Sequence, residues 1–123
     1  MAWNLDSSRP IYAQIAELVR LDIISGLYAP GTKLPSVREL AAQAKVNPNT
    51  MQKALAELER TGLVHSMRTS GRFITEDTEM IQRMKEDLAE DQIREFLEKM
   101  SGMGFKPQDT LAFIERILKE DQS

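Results

Sequence analysis

Cysteine is absent from the 123-residue chain, which excludes disulfides, cysteine-ligated zinc, iron–sulfur clusters and thiol catalysis. Histidine occurs once, at His65. One imidazole cannot build a histidine metal site, and it weighs against acid–base chemistry near neutral pH. Six glycines and five prolines are too few for a collagen-like or low-complexity polymer. No apolar run approaches the roughly 20 residues that span a bilayer. The opening residues Met1 to Asp6 carry neither a basic nor an apolar leader segment. A cytoplasmic protein with no membrane partner and no cofactor is therefore expected. The length suits one ordinary domain, or a small domain with an appendage, and leaves no room for an enzyme with separate cofactor and substrate halves.

Acidic residues outnumber basic ones, with 19 against 16, but they are unevenly placed. Residues 1–75 hold nine Lys and Arg against six Asp and Glu, a net of +3, whereas residues 76–123 hold seven against thirteen, a net of −6. Only the front of the chain is suited to meet a polyanion.

The front half reads as three helices and a hairpin. Pro10 suits the start of a helix whose apolar positions are Ile11, Ile15, Leu18, Val19 and Ile23, and Ser25-Gly26 stops it. Ala29-Pro30-Gly31 is a turn, and Thr32-Lys33-Leu34 fits a very short strand. Ser36 and Glu39 form a capping box for a second helix with apolar Val37, Leu40, Ala41 and Ala44, leaving Arg38 to point elsewhere. Asn47 and Pro48 cap and open a third helix, which buries Met51, Leu55 and Leu58 and ends at Gly62. By elimination, Asn49, Thr50, Gln52 and Lys53 lie exposed on its leading half. Leu63–Met67 and Arg72–Thr75 then flank a polar loop, Arg68-Thr69-Ser70-Gly71, as the arms of a β-hairpin.

Three helices followed by such a hairpin make a winged helix-turn-helix. In that fold the leading half of the third helix faces the major groove, and the hairpin reaches the neighbouring backbone. Arg38, Arg68 and Arg72 fall on the elements flanking the third helix and complete a basic face with Lys53. A winged-helix module for protein contacts is the competing reading. It calls for an apolar third-helix face, which Asn49, Thr50, Gln52 and Lys53 do not provide. An enzyme would need paired carboxylates or a nucleophile with its base, whereas the carboxylates here alternate with Lys and Arg at helical spacing in the rear half.

The segments Pro10–Ile15, Gly26–Ala41, Val46–Leu55 and Leu58–Leu63 together resemble the N-terminal domain of GntR-family bacterial transcription regulators. The likeness runs over residues 10–75, and the short rear half resembles the YtrA-type subfamily, whose members dimerise through that tail. The resemblance implies a DNA operator as partner. It implies that Arg38 contacts DNA from the second helix, that Asn47, Asn49 and Thr50 touch bases or phosphates, and that Gly71 is a wing glycine that lets the loop enter the minor groove. Ser70, in the same polar loop, is counted with the DNA-binding candidates. Gln52 stands where many members have arginine, and Thr69 stands at the first of two customary wing glycines.

Behind Thr75 the pattern changes. Asp77 to about Met100 lacks both proline and glycine, as a helix of roughly 22 residues and about 33 Å would. Met80, Met84 and Leu88 recur along it, and Ile93, Leu97 and Met100 follow after a one-residue stutter. Gly102-Met103-Gly104 is a helix stop and not a nucleotide loop, since no strand precedes it. Pro107 opens a last helix with Leu111, Ile114, Ile117 and Leu118. These ten apolar residues exceed what two helices hide against each other, so they are assigned to a homodimer interface, with methionine suited to an adaptable seam. The expected organisation is mainly helical with a small β-hairpin: a winged-helix DNA-binding domain over 1–76 and a helical dimerisation tail over 77–123. A repressor bound to a palindromic operator follows as the expected activity. No small-molecule effector is indicated.

Overall fold

In a computed structural model that describes residues 3–122, the first helix, α1 (Ile11–Ile24), starts directly after Pro10 and ends at Ser25. Its buried Gln14 clasps the preceding segment. The amide Nε2 donates to the carbonyls of Asp6 (2.7 Å) and Arg9 (3.0 Å), while Oε1 accepts from Asp6 N–H (3.0 Å), so a costly buried amide is fully paired. Helix α2 (Val37–Ala44) begins with the reciprocal cap: Ser36 Oγ accepts from Glu39 N–H at 3.1 Å, and Glu39 Oε1 accepts from Ser36 N–H at 3.4 Å. Lys45 ends that helix in a left-handed conformation, φ 58°. Helix α3 (Pro48–Thr61) is capped by Asn47, whose side chain accepts from Asn49 N–H at 2.7 Å, and it stops at Gly62.

Strands β1 (Val64–Met67) and β2 (Gly71–Ile74) pair antiparallel, with Ser66 opposite Arg72 and His65 opposite Phe73. The second arm thus starts one residue earlier than the sequence pattern suggests. Gly71 already pairs with Met67 although its φ is +101°, a combination that glycine tolerates without a side-chain clash. The short segment at 32–34 joins the outer edge of β2. Leu34 N–H donates to Arg72 C=O (2.9 Å), and Ile74 N–H donates to Thr32 C=O (2.8 Å).

The chain divides into two compact units, the first reaching Lys85 and the second beginning at Glu86. The core of the first unit joins Ile15, Val19 and Ile23 of α1, Leu40, Ala41 and Ala44 of α2, and Met51, Ala54, Leu55 and Leu58 of α3 to Leu34, Leu63, Val64 and Ile74 around the hairpin. Leu55 is wholly buried, and its truncation to alanine is worth about 2–5 kcal/mol by analogy with other cores. Helix α4 (Thr78–Gly102) opens with Asp77 Oδ1 accepting from Met80 N–H at 3.0 Å. Its first turns complete this core: Ile81 is buried, and Met80 and Met84 pack against it. The first unit therefore runs past Thr75 into α4.

In the second unit, the remainder of α4 is followed by a turn at Gly104 and by α5 (Pro107–Asp121), whose first residues are held by Lys106 N–H donating to Asp109 Oδ2 at 3.1 Å. Phe105 and Phe113 meet edge to face, ring centres 5.3 Å apart, a favoured aromatic geometry. Thr110 is buried. Ile93, Phe96, Met103, Leu111, Ile114, Ile117 and Leu118 stay exposed on this unit.

Candidate nucleic-acid interface

Three elements set out the candidate face. The Asn47 cap fixes where α3 begins, and the burial of Met51, Ala54, Leu55 and Leu58 fixes its rotation. Asn49, Gln52 and Lys53 are exposed and Thr50 half-buried as a result. Asn47 is exposed too, with its side-chain oxygen engaged in the cap. Arg38 projects from α2, on a turn capped by Ser36, and is exposed. Arg68, Thr69, Ser70 and Gly71 form the exposed end of the hairpin, closed by Ser70 N–H donating to Met67 C=O at 3.1 Å. Neither Arg38 nor Arg68 makes an ion pair among the described residues, so their charge is directed to solvent and available to an anion.

Two of the basic residues are engaged by the protein itself. The Lys53 ammonium lies 4.0 Å from the centre of the Tyr12 ring. This cation–π contact draws the first turn of α1 toward the leading half of α3; Ile11, Tyr12, Asn49, Thr50 and Lys53 line a shallow groove there. Arg72 is turned inward, with a side chain only 16% exposed, and its Nε donates to Glu59 Oε1 at 2.6 Å. Ser66 Oγ donates to the same oxygen at 2.5 Å. The Ser66 hydroxyl, and after it the Arg72 guanidinium, hold the Glu59 carboxyl below the usual carboxylate range.

Tyr12, Glu59 and Ser66 are additions to the residues that the sequence singled out. The Lys53–Tyr12 contact bridges two helices, and the Glu59 cluster depends on the hairpin register, so neither follows from periodicity. Among the residues assigned to the tail seam, Met80 and Met84 face the core of the first unit. Leu88, Leu97 and Met100 are half-buried, and Ile93, Leu111, Ile114, Ile117 and Leu118 are exposed. Phe96 joins this exposed set at 42% exposure.

A helix-turn-helix whose second helix leads with hydrogen-bonding side chains, flanked by a basic hairpin and an unpaired arginine, defines a winged-helix protein of the DNA-binding class. The chain belongs to the family described as "Bacterial regulatory proteins, gntR family", whose model matches residues 11–74. It is 40% identical over 111 residues to the uncharacterized HTH-type transcriptional regulator YhcF of Bacillus subtilis (strain 168), covering 90% of this chain and 92% of that protein. The HTH-type transcriptional repressor YtrA of the same organism is 48% identical over 71 residues, 58% of this chain and 55% of its own length. Among solved structures, a GntR family transcriptional regulator from Listeria monocytogenes superposes with a TM-score of 0.85 at 38% identity, over 91% of this chain and 98% of that one.

Proposed function

We propose that this GntR-family transcriptional regulator is a repressor that binds a palindromic operator as a homodimer. The carrying observation is the leading half of α3, where Asn49, Gln52 and Lys53 are exposed, together with Arg38 and Arg68, which make no ion pair among the described residues. In this reading Asn49, Thr50 and Gln52 meet base edges, while Arg38, Lys53, Arg68, Ser70 and the Gly71 backbone meet phosphates or the minor groove. The exposed Ile93, Phe96, Leu111, Ile114, Ile117 and Leu118 of the second unit support a twofold interface that sets the half-site spacing. Occupying an operator that overlaps a promoter would suffice for repression. No catalytic role is assigned, and a cytoplasmic location follows from access to the chromosome.

Footprinting on the promoter of the protein's own operon, with affinity followed against salt, tests this reading. A dimer neutralising about six to eight phosphates gives a log K against log salt slope of about −5 to −7. A protected palindrome with such a slope is the expected result. A slope near zero would support a protein-contact role instead.

A further inference from the structure

Glu59 is an acid close to a face built for a polyanion, and two elements of the wing converge on it. Ser66 and Arg72 stand directly opposite each other on β1 and β2. Paired positions on antiparallel strands present their side chains on one side of the hairpin, and here both donate to the single oxygen Glu59 Oε1, at 2.5 and 2.6 Å. Glu59 lies seven residues after Gln52 on α3. That is nearly two full turns, so the two share a helix face about 10.5 Å apart along the axis. The wing is thereby tied to the same face of α3 that carries Gln52.

The pairing also disposes of a charge. An exposed arginine on a wing adds affinity for any phosphate backbone and carries no sequence information. Arg38 and Arg68 are exposed in that manner, whereas Arg72 is 16% exposed and Glu59 31%. The ionised Glu59 would repel DNA if unanswered, and Arg72 would grip it indiscriminately if released. Joined by the Arg72 Nε–Glu59 Oε1 contact, the two charges offset each other.

We propose that Glu59 is a positioning and specificity-determining residue, which sets the wing at a fixed distance from Gln52 and keeps the Arg72 guanidinium off the DNA backbone. The inference rests on the DNA-binding reading above. Its test is a double-mutant cycle on the full-length protein: wild type, Glu59→Gln, Arg72→Gln and the double variant. Each is titrated by fluorescence anisotropy against the footprinted operator duplex and an unrelated duplex of equal length, from about 50 to about 200 mM salt.

Glu59→Gln is expected to steepen the salt slope on unrelated DNA by about 0.9 per protomer, an extra loss of about 3.5-fold over that salt range for each protomer. The ratio of operator to unrelated affinity should fall. The steepening should occur only where Arg72 is present, and the double variant, unchanged in net charge, should keep the wild-type slope. A double variant flatter by about 0.9 per protomer would show that Arg72 already holds a phosphate, and would overturn the proposal. Equal steepening in both backgrounds, or none with weaker binding to both duplexes, would overturn it as well. Circular dichroism checks that each variant is folded; should Glu59→Gln fail to fold, wild type against the double variant decides the matter. A wild type with no salt-dependent binding would defeat the DNA-binding reading itself.

Discussion

The aliphatic stem of Lys33 crosses Gly71 so closely that a Cβ at Gly71 would lie 3.0 Å from Lys33 Cε. Two constraints therefore meet where β2 leaves the wing loop, the close approach of Lys33 and a backbone at φ +101°. A lysine stem can swing aside, but the backbone conformation cannot be relieved without breaking the Gly71–Met67 pairing. Gly71→Ala should cost about 1–3 kcal/mol, as strained non-glycine backbones do. Chemical denaturation of Gly71→Ala with and without Lys33→Ala checks the assignment. Recovery of most of the loss by Lys33→Ala would place the cost in the side-chain contact instead.

Lys45, an exposed residue between α2 and α3, is the non-glycine residue with positive φ among those described, at 58°. The left-handed conformation costs an L residue about 1–2 kcal/mol, while glycine adopts it freely at some entropic expense in the unfolded chain. Lys45→Gly should accordingly raise stability by about 0.5–1 kcal/mol, and Lys45→Ala should bring no gain. The denaturation midpoints of the two variants make the comparison. A stabilised Lys45→Ala would mean that the lysine charge, and not the backbone, was at issue.

The local features were legible in the sequence, whereas the left-handed backbone at Lys45 was not. Caps and helix stops were legible because they act within three or four residues: Ser36 with Glu39, Asn47 with Asn49, and Gly62 at the end of α3. The exposed row Asn49, Gln52 and Lys53 followed from the apolar period of the same helix. By contrast, Glu59 meets Arg72 across 13 residues only because the hairpin register sets Arg72 opposite Ser66. Periodicity likewise shows that Met80 and Met84 share a helix face without showing what that face meets. Their neighbour Ile81 is buried against the first unit, and the two methionines pack there with it.

The Glu59 carboxyl gives a pH signature. Its folded pKa lies below the ordinary value because Ser66 and Arg72 favour the charged form. Such a group stabilises the fold fully above its unfolded pKa of about 4.3, and loses that contribution as pH falls through the lower folded value. The stability difference between wild type and Glu59→Gln should therefore be constant from about pH 7 to about pH 5.5 and shrink below about pH 4.3. Urea titrations at several pH values measure it. A difference that persists unchanged well below that point would detach the stability effect from ionisation.

Leu118 is 55% exposed on α5, on the same side as Leu111 and Ile114. If this stripe forms the twofold seam, Leu118→Glu buries an unpaired charge twice in the dimer and nothing in the monomer. Sedimentation equilibrium should show a wild-type dimer at micromolar concentration and a Leu118→Glu monomer with unchanged helical content. Operator affinity should fall while each half-site contact remains intact. A variant that still dimerises like the wild type would remove α5 from the interface.

Gln52 offers the sharpest test of base reading. It is exposed on the second turn of α3, on the side left free by Met51, Leu55 and Leu58. Glutamine pairs with adenine N6 and N7 through two hydrogen bonds, whereas arginine favours guanine O6 and N7. Gln52→Arg should thus change the preferred base at one position in each half-site, by roughly 1–3 kcal/mol of discrimination. If Arg38 meets DNA as proposed, Arg38→Ala should instead lower affinity by removing that positive charge. Selection of binding sites from random duplexes, run in parallel with wild type and Gln52→Arg, separates the two effects. Identical selected half-sites would show that Gln52 reads no base, and would leave Asn49, Thr50 and the wing to carry the specificity.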